Sequence, residues 1–175
     1  MEHTDMTSAF ELIGLHMEHA YFLGPRDGTL IDKAEKRLGV RFPPSYRQFI
    51  ARLGAGAFGF AEFYGIVKAD FEHSSVPDAI WVTVNDRSRF GLPDFLVAVY
   101  DVGDGTTFYI DTSNVDNKGE SPIVTFYRAD SVIIATPYTS FGQLFLEKMQ
   151  QSAEDLETAG EDEEDFEILG GGGHL

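Results

Sequence analysis

Two runs of strand-forming residues, 95–100 and 107–111, stand on either side of Gly103-Asp104-Gly105, and this pairing constrains the chain more than any other feature. Asp-Gly tolerates the positive φ that a tight hairpin turn demands. Val, Ile, Phe, Tyr and Thr, which fill both runs, fit a pleated and half-buried surface. A third run of the same kind, 122–127, follows a polar loop opened by Asp111-Thr112-Ser113-Asn114. The expectation is an antiparallel meander, with Asp111 hydrogen-bonding the turn that it opens.

Helical spacing surrounds this meander. Thr29 and Asp32 resemble a capping pair, Ile31, Ala34 and Leu38 form a stripe, and Gly39 followed by Val40 supplies a left-handed stop. Pro44 suits the first turn of a second helix, with Tyr46, Phe49, Ile50 and Leu53 on one face before Gly54. Upstream, Phe10, Ile13, Leu15, Met17 and Tyr21 predict a helix over 4–22, stopped by Gly24-Pro25. Residues 80–84 look like strand, but Arg89-Phe90-Gly91-Leu92-Pro93 repeats the stop signal seen at Gly39, so the segment is expected to be helix with Asp78 near its start. Residues 131–136 predict a short strand. Ser140 and Gln143 then form a capping box for a last helix buried through Phe141, Leu144, Phe145 and Met149.

Several motifs suggest chemistry and fail on context. Gly54-Ala55-Gly56-Ala57-Phe58-Gly59 matches the GxGxxG string, but those glycines close a helix and lead into the strand-like 60–67 instead of following a strand and opening a helix. His16 and His19 share a helical face without a third ligand, so no metal is expected there. The acids of the meander loops lack the alternating spacing of a calcium loop, and nothing marks them as a glycosidase pair across a cleft. Neither a catalytic constellation nor a cofactor is expected.

At 175 residues and 43% hydrophobic, the chain suits one domain with a real core. It has no cysteine, an N-terminus without the basic stretch of a signal peptide, and no run approaching a membrane span, so a cytoplasmic location is expected. A net charge of −16 disfavours direct binding to nucleic acid phosphates and favours a basic partner. Nine acids and no Lys or Arg lie from residue 151 onward, before the glycines 170–173. The expected organisation is one domain over 1–150 and a mostly mobile acidic tail over 151–175, in which only Phe166, Ile168 and Leu169 could dock.

Taken together, several ordered pieces resemble the SUKH superfamily, named for Syd, a herpesviral family and the yeast cell-wall synthesis regulators of the Smi/Knr type. The pieces are Ile31, Ala34-Glu35, Leu38-Gly39-Val40, Phe42-Pro43, Ser45-Tyr46 and Phe49-Ile50; Tyr64-Gly65; Gly103-Asp104-Gly105 with Tyr109-Ile110-Asp111-Thr112; Gly119-Glu120 with Pro122-Ile123-Val124; and Thr139-Ser140-Phe141 with Leu144-Phe145-Leu146. The chain departs from the pattern at Phe126-Tyr127, where the family often has Trp, in its Gly-rich GAGAFG turn and in its acidic tail.

The resemblance implies an α+β domain, a mostly antiparallel sheet of about five to six strands with helices packed on one face. Gly39, Pro43, Tyr46, Phe49, Gly105, Asp111, Pro122 and Phe141 would shape its turns and core. It also implies a non-catalytic bacterial immunity protein that binds and neutralises a cognate toxin domain of a polymorphic or contact-dependent system. The alternative is a regulatory or scaffold protein of the cell-wall synthesis type. A basic toxin would meet loop carboxylates held beside the rigid sheet, and the candidates are Asp70, Glu72, Asp101, Asp104, Asp116 and Glu120. Neither nucleic acid nor membrane is expected as a partner, and a monomer or weak dimer is.

Overall fold

The computed structural model describes residues 4–170, with side chains described as far as residue 160. The elements follow in the order α1 (Thr4–Leu15), β1 (Ala20–Phe22), α2 (Gly28–Leu38), α3 (Pro44–Leu53), β2 (Gly56–Phe58), β3 (Ala61–Phe63), α4 (Ala79–Phe90), β4 (Leu96–Asp101), β5 (Thr107–Asp111), β6 (Ile123–Tyr127), β7 (Val132–Ala135) and α5 (Phe141–Gly170). The strands form one antiparallel sheet in chain order, so neighbours in sequence are neighbours in space. The α+β architecture is the expected one, with seven strands in place of five to six. The additional strands are β1 and β2, three residues each and too short for propensity to mark.

Punctuation placed most of the helices. Gly39 and Gly91 end α2 and α4 in the left-handed region, at φ 72° and 66°. Asp78 caps α4, its Oδ1 accepting from the N–H groups of Ile80 and Trp81 at 3.0 and 2.9 Å, which is why a β-looking stretch is helical. Two local expectations fail. The cap of α2 is Asp27, whose carboxylate accepts from Leu30 N–H, and not Thr29. Helix α1 stops at Leu15, a single 3-10 turn covers Met17–His19, and Tyr21 lies on edge strand β1. Pairing of Ala20, Tyr21 and Phe22 with β2 outweighs their helical spacing, an instance of tertiary contacts overriding a weak local preference.

Aromatic side chains knit the helices to the sheet. Phe49 of α3 lies 5.3 Å from Phe141 and 5.2 Å from Phe145 of α5, and 6.0 Å from Phe63 of β3. Phe63 in turn contacts Tyr100, and Tyr100 contacts Phe108, which carries the cluster across the sheet face. Strand β3 pairs with β4 only at Phe63↔Tyr100, near the end of β4, and helix α4 lies beside its first half, where Thr83 Oγ1 accepts the Ala98 N–H at 3.0 Å. Close backbone approach brings α3's end against the strand that leaves β3. Ile66 N–H donates to Gly54 C=O, and a side chain at Gly65 would put its Cβ 1.8 Å from that oxygen.

Helices α1 and α5 run parallel: Met6 and Asp5 sit against Gly142, and His16, just past α1, lies 3.9 Å from Glu157. Helix α5 passes through residue 150 to Gly170, so the boundary expected there falls inside a helix. Its apolar stripe extends from Met149 to the buried Ala153 and the half-buried Leu156, at i, i+4 and i+7. The side chains of Phe166, Ile168 and Leu169, and all of 171–175, lie outside the described residues. Among the described residues no helix is long and apolar enough to cross a membrane.

Candidate partner-binding surface

The buried carboxylates act as internal fastenings. Glu35 accepts from Phe42 N–H at 2.7 Å and meets Arg47 at 2.9 Å, which pins the segment between α2 and α3. Asp78 accepts from Ser74 Oγ and Val67 N–H as well as from α4, tying the loop before the helix to its first turn. Asp86 accepts the Tyr109 hydroxyl at 2.8 Å, with the Arg128 guanidinium 3.7 Å away. Burial pushes Asp86 above the usual carboxylate range, although the Tyr109 hydrogen bond and Arg128 oppose it, and the Tyr109 hydroxyl is pushed up to about 12.

Glu120 belongs with these fastenings, not with the surface. It is 5% exposed, and its two oxygens accept from Ser45 N–H at 2.9 Å and Ser45 Oγ at 2.7 Å. Ser45 Oγ also accepts from Gly142 N–H of α5. A carboxylate from the meander loop therefore satisfies donors at the start of α3 and, through Ser45, of α5, where helix N-termini favour negative charge. A concavity of about 690 Å³ opens beside this point and is lined in part by Asp5, Asp116, Lys118, Thr139 and Ser140.

The other five predicted acids are exposed but do not form one patch. Asp101 accepts from Gly103 N–H at 2.7 Å and from the Tyr64 hydroxyl at 3.2 Å. Asp104 accepts from Thr106 N–H at 2.9 Å, and that bond holds its carboxyl below the usual range. Both sit on the β4–β5 hairpin. Asp116 lies in the loop at the opposite end of β5, about 17 Å away by strand rise over five residues, and accepts from the N–H groups of Lys118 and Glu120. Asp70 pairs with His73 at 3.0 Å. Glu72 pairs with Arg37 at 2.7 Å near the end of α2, and Arg37 holds its carboxyl below the usual range. Asp111 accepts from Ser113 N–H and Oγ, the turn role expected of it.

The hairpin end is the best-formed surface feature. Two shallow cavities of about 300 and 420 Å³ share Gly105, Thr107 and Arg128, with Asp101 lining one and Asp104 the other. Tyr64, Trp81 and Arg89 line the first, and the Arg128 guanidinium rests 3.9 Å over the Phe90 ring. Burial, and then the neighbouring Asp101, raises Glu62 above the usual carboxylate range. Trp81 and Arg128 escaped the sequence reading because one is a helix residue with ordinary spacing and the other sits alone in a turn. His16 packs edge-on against Phe58, away from this surface.

The far edge of the sheet is apolar and open. Tyr127, Val132 and Ile134 are 60%, 47% and 48% exposed, and among the described residues no strand pairs with the outer side of β7. A family model described as SUKH_6, SMI1-KNR4 cell-wall, matches residues 29–145, about two thirds of the chain. The match runs from α2 into α5 and so covers the whole meander and hairpin end.

Proposed function

The chain belongs to the SMI1-KNR4 cell-wall family, and on that premise we propose that it is a non-catalytic cytoplasmic immunity protein that binds and neutralises a cognate, basic toxin domain. The observation that carries this reading is the β4–β5 hairpin, where Asp101 and Asp104 stand exposed at the turn between the two central strands and are oriented by hydrogen bonds to backbone N–H groups. Loop carboxylates held this way present fixed negative charge to a partner at no reorganisation cost. Half-buried Trp81 beside them supplies aromatic contact area of the kind that anchors protein interfaces, while buried Tyr64 holds Asp101 in place through its hydroxyl. Asp70, Glu72 and Asp116 stand apart from the hairpin and extend the negative field that steers a basic partner. The buried carboxylates are engaged in holding the fold, which leaves the chemistry of recognition to the surface.

Co-expression with a toxin encoded immediately upstream tests this. Asp101→Lys combined with Asp104→Lys should abolish protection and slow association, and binding of the unaltered chain should weaken as salt screens the exposed charges. Undiminished protection by the double variant would remove the hairpin mechanism. The description of the matching family favours a second reading, a regulatory or scaffold role in cell-wall synthesis. That reading gains if no toxin gene adjoins and the purified chain instead retains a cell-wall synthesis protein.

A further inference from the structure

We propose that the outer edge of β7 is a self-association surface, on which a second copy of this chain pairs its own β7 antiparallel to extend the sheet. The inference does not rest on toxin binding and uses the end of the sheet away from β1, although Ile134 and Tyr127 also line the cavity that Asp104 borders.

The backbone pattern selects the occupant. Thr136 N–H donates to Ile123 C=O, and the register with β6 pairs Thr125 with Ile134 and Tyr127 with Val132. Alternation in an antiparallel ladder therefore turns the polar groups of residues 132, 134 and 136 toward β6, and the N–H and C=O groups of Ile133 and Ala135 outward. Two copies brought together about a two-fold axis through Ile134 place Ile133 of each opposite Ala135 of the other. That arrangement closes four backbone hydrogen bonds and repeats the same patch on both sides, as an isologous interface requires.

Side chains agree with the backbone. Ile134 meets its own copy on one face, flanked by Val132 and Tyr127, while Ile133 on the other face meets Ala135; residues 132–135 are all exposed in the single chain. In a chain of net charge −16, residues 131–137 carry no charge at all. A basic partner finds nothing to grip there, whereas an uncharged apolar strand complements itself. The usual protections of an edge are missing from 132–136, which has no Lys, no Pro and no inward charge. Ser131, at φ 54°, and Pro137 bracket the segment and limit pairing to a strand of this length.

The charge gives the test a distinctive sign. Copies of net charge −16 repel, so self-association through an uncharged edge should strengthen as salt rises, opposite to the salt dependence of toxin binding. Sedimentation equilibrium of the full chain should show a monomer–dimer equilibrium that shifts toward dimer with salt. Ile134→Lys should weaken it by about tenfold or more, because like charges would face each other directly. Ile134→Cys supplies a second readout that does not depend on affinity. The chain has no native cysteine, and a close non-hydrogen-bonded pair suits a disulfide, so this variant should cross-link to itself under mild oxidation far faster than the exposed control Val115→Cys. A chain that stays monomeric at millimolar concentration in high salt would overturn the proposal. So would a dimer indifferent to Ile134→Lys, or cross-linking no faster than the control.

Discussion

Glu120 reaches across 75 residues of sequence to Ser45, with one carboxylate oxygen 2.9 Å from its amide nitrogen and the other 2.7 Å from its hydroxyl. Replacing Glu120 with Ala would leave the start of α3 without its acceptor in a buried place, at a cost of about 3 kcal/mol. Glu120→Gln keeps one acceptor oxygen and should cost about half of that. Urea unfolding of both variants checks the order, and equal small losses would show that Glu120 is not a fastening.

Asp86 should give stability a pH dependence of definite sign. Its carboxyl binds a proton more tightly folded than unfolded, so its contribution is full below the ordinary carboxylate range near about 3.9 and is lost as pH rises through the raised value. Buried Asp78, raised by the same cause, acts in the same direction and persists in an Asp86 variant. Asp86→Asn should therefore cost more stability at pH 5 than at pH 7, relative to the unaltered chain. A difference that is constant across that interval, measured by urea midpoints, would contradict the assignment.

Gly65→Ala should be among the most damaging small substitutions in the chain. The new methyl group would meet the Gly54 carbonyl at 1.8 Å, a backbone atom that also holds Ile66 N–H, and neither segment can swing aside as a side chain would. A loss of about 3 kcal/mol or more is expected. Gly103→Ala, where nothing lies within 4 Å, isolates the strain of a positive φ without the clash and should cost about 1 kcal/mol. Thermal melts of the pair decide it.

Ala153→Glu should destabilise by about 3 kcal/mol, because the position is 5% exposed on the part of α5 that extends the stripe past Met149. Glu154→Gln next to it, on the exposed side, should change little. Equal behaviour of the two in thermal melts would return the limit of the packed domain to residue 150.

Features with a local cause were legible in the sequence. The Asp-Gly hairpin, the left-handed stops at Gly39 and Gly91, the Asp78 cap and the Asp111 turn each depend on a few adjacent residues. Strand β1 was hidden because its reason for being a strand is β2, more than thirty residues later. Glu120 was misplaced for a related reason: an acid among loop acids looks solvated unless the helix starts that need it are known. A hint was present in Gly119-Glu120-Ser121-Pro122, a carboxylate set directly at the threshold of a buried strand. The open edge of β7 was invisible because exposure depends on which strand happens to be last in the sheet.

The parallel seating of α1 against α5 also governs how the chain comes to be folded. Met6 and Phe10 have their cover on α5, more than a hundred residues downstream, so α1 is completed only when α5 is present. During synthesis its apolar face waits bare while the sheet assembles strand by strand from hairpins. Closure of α1 on α5 is a long-range contact of the kind that slows folding. An emerging chain is therefore most open to capture by chaperones or proteases until α5 has left the ribosome.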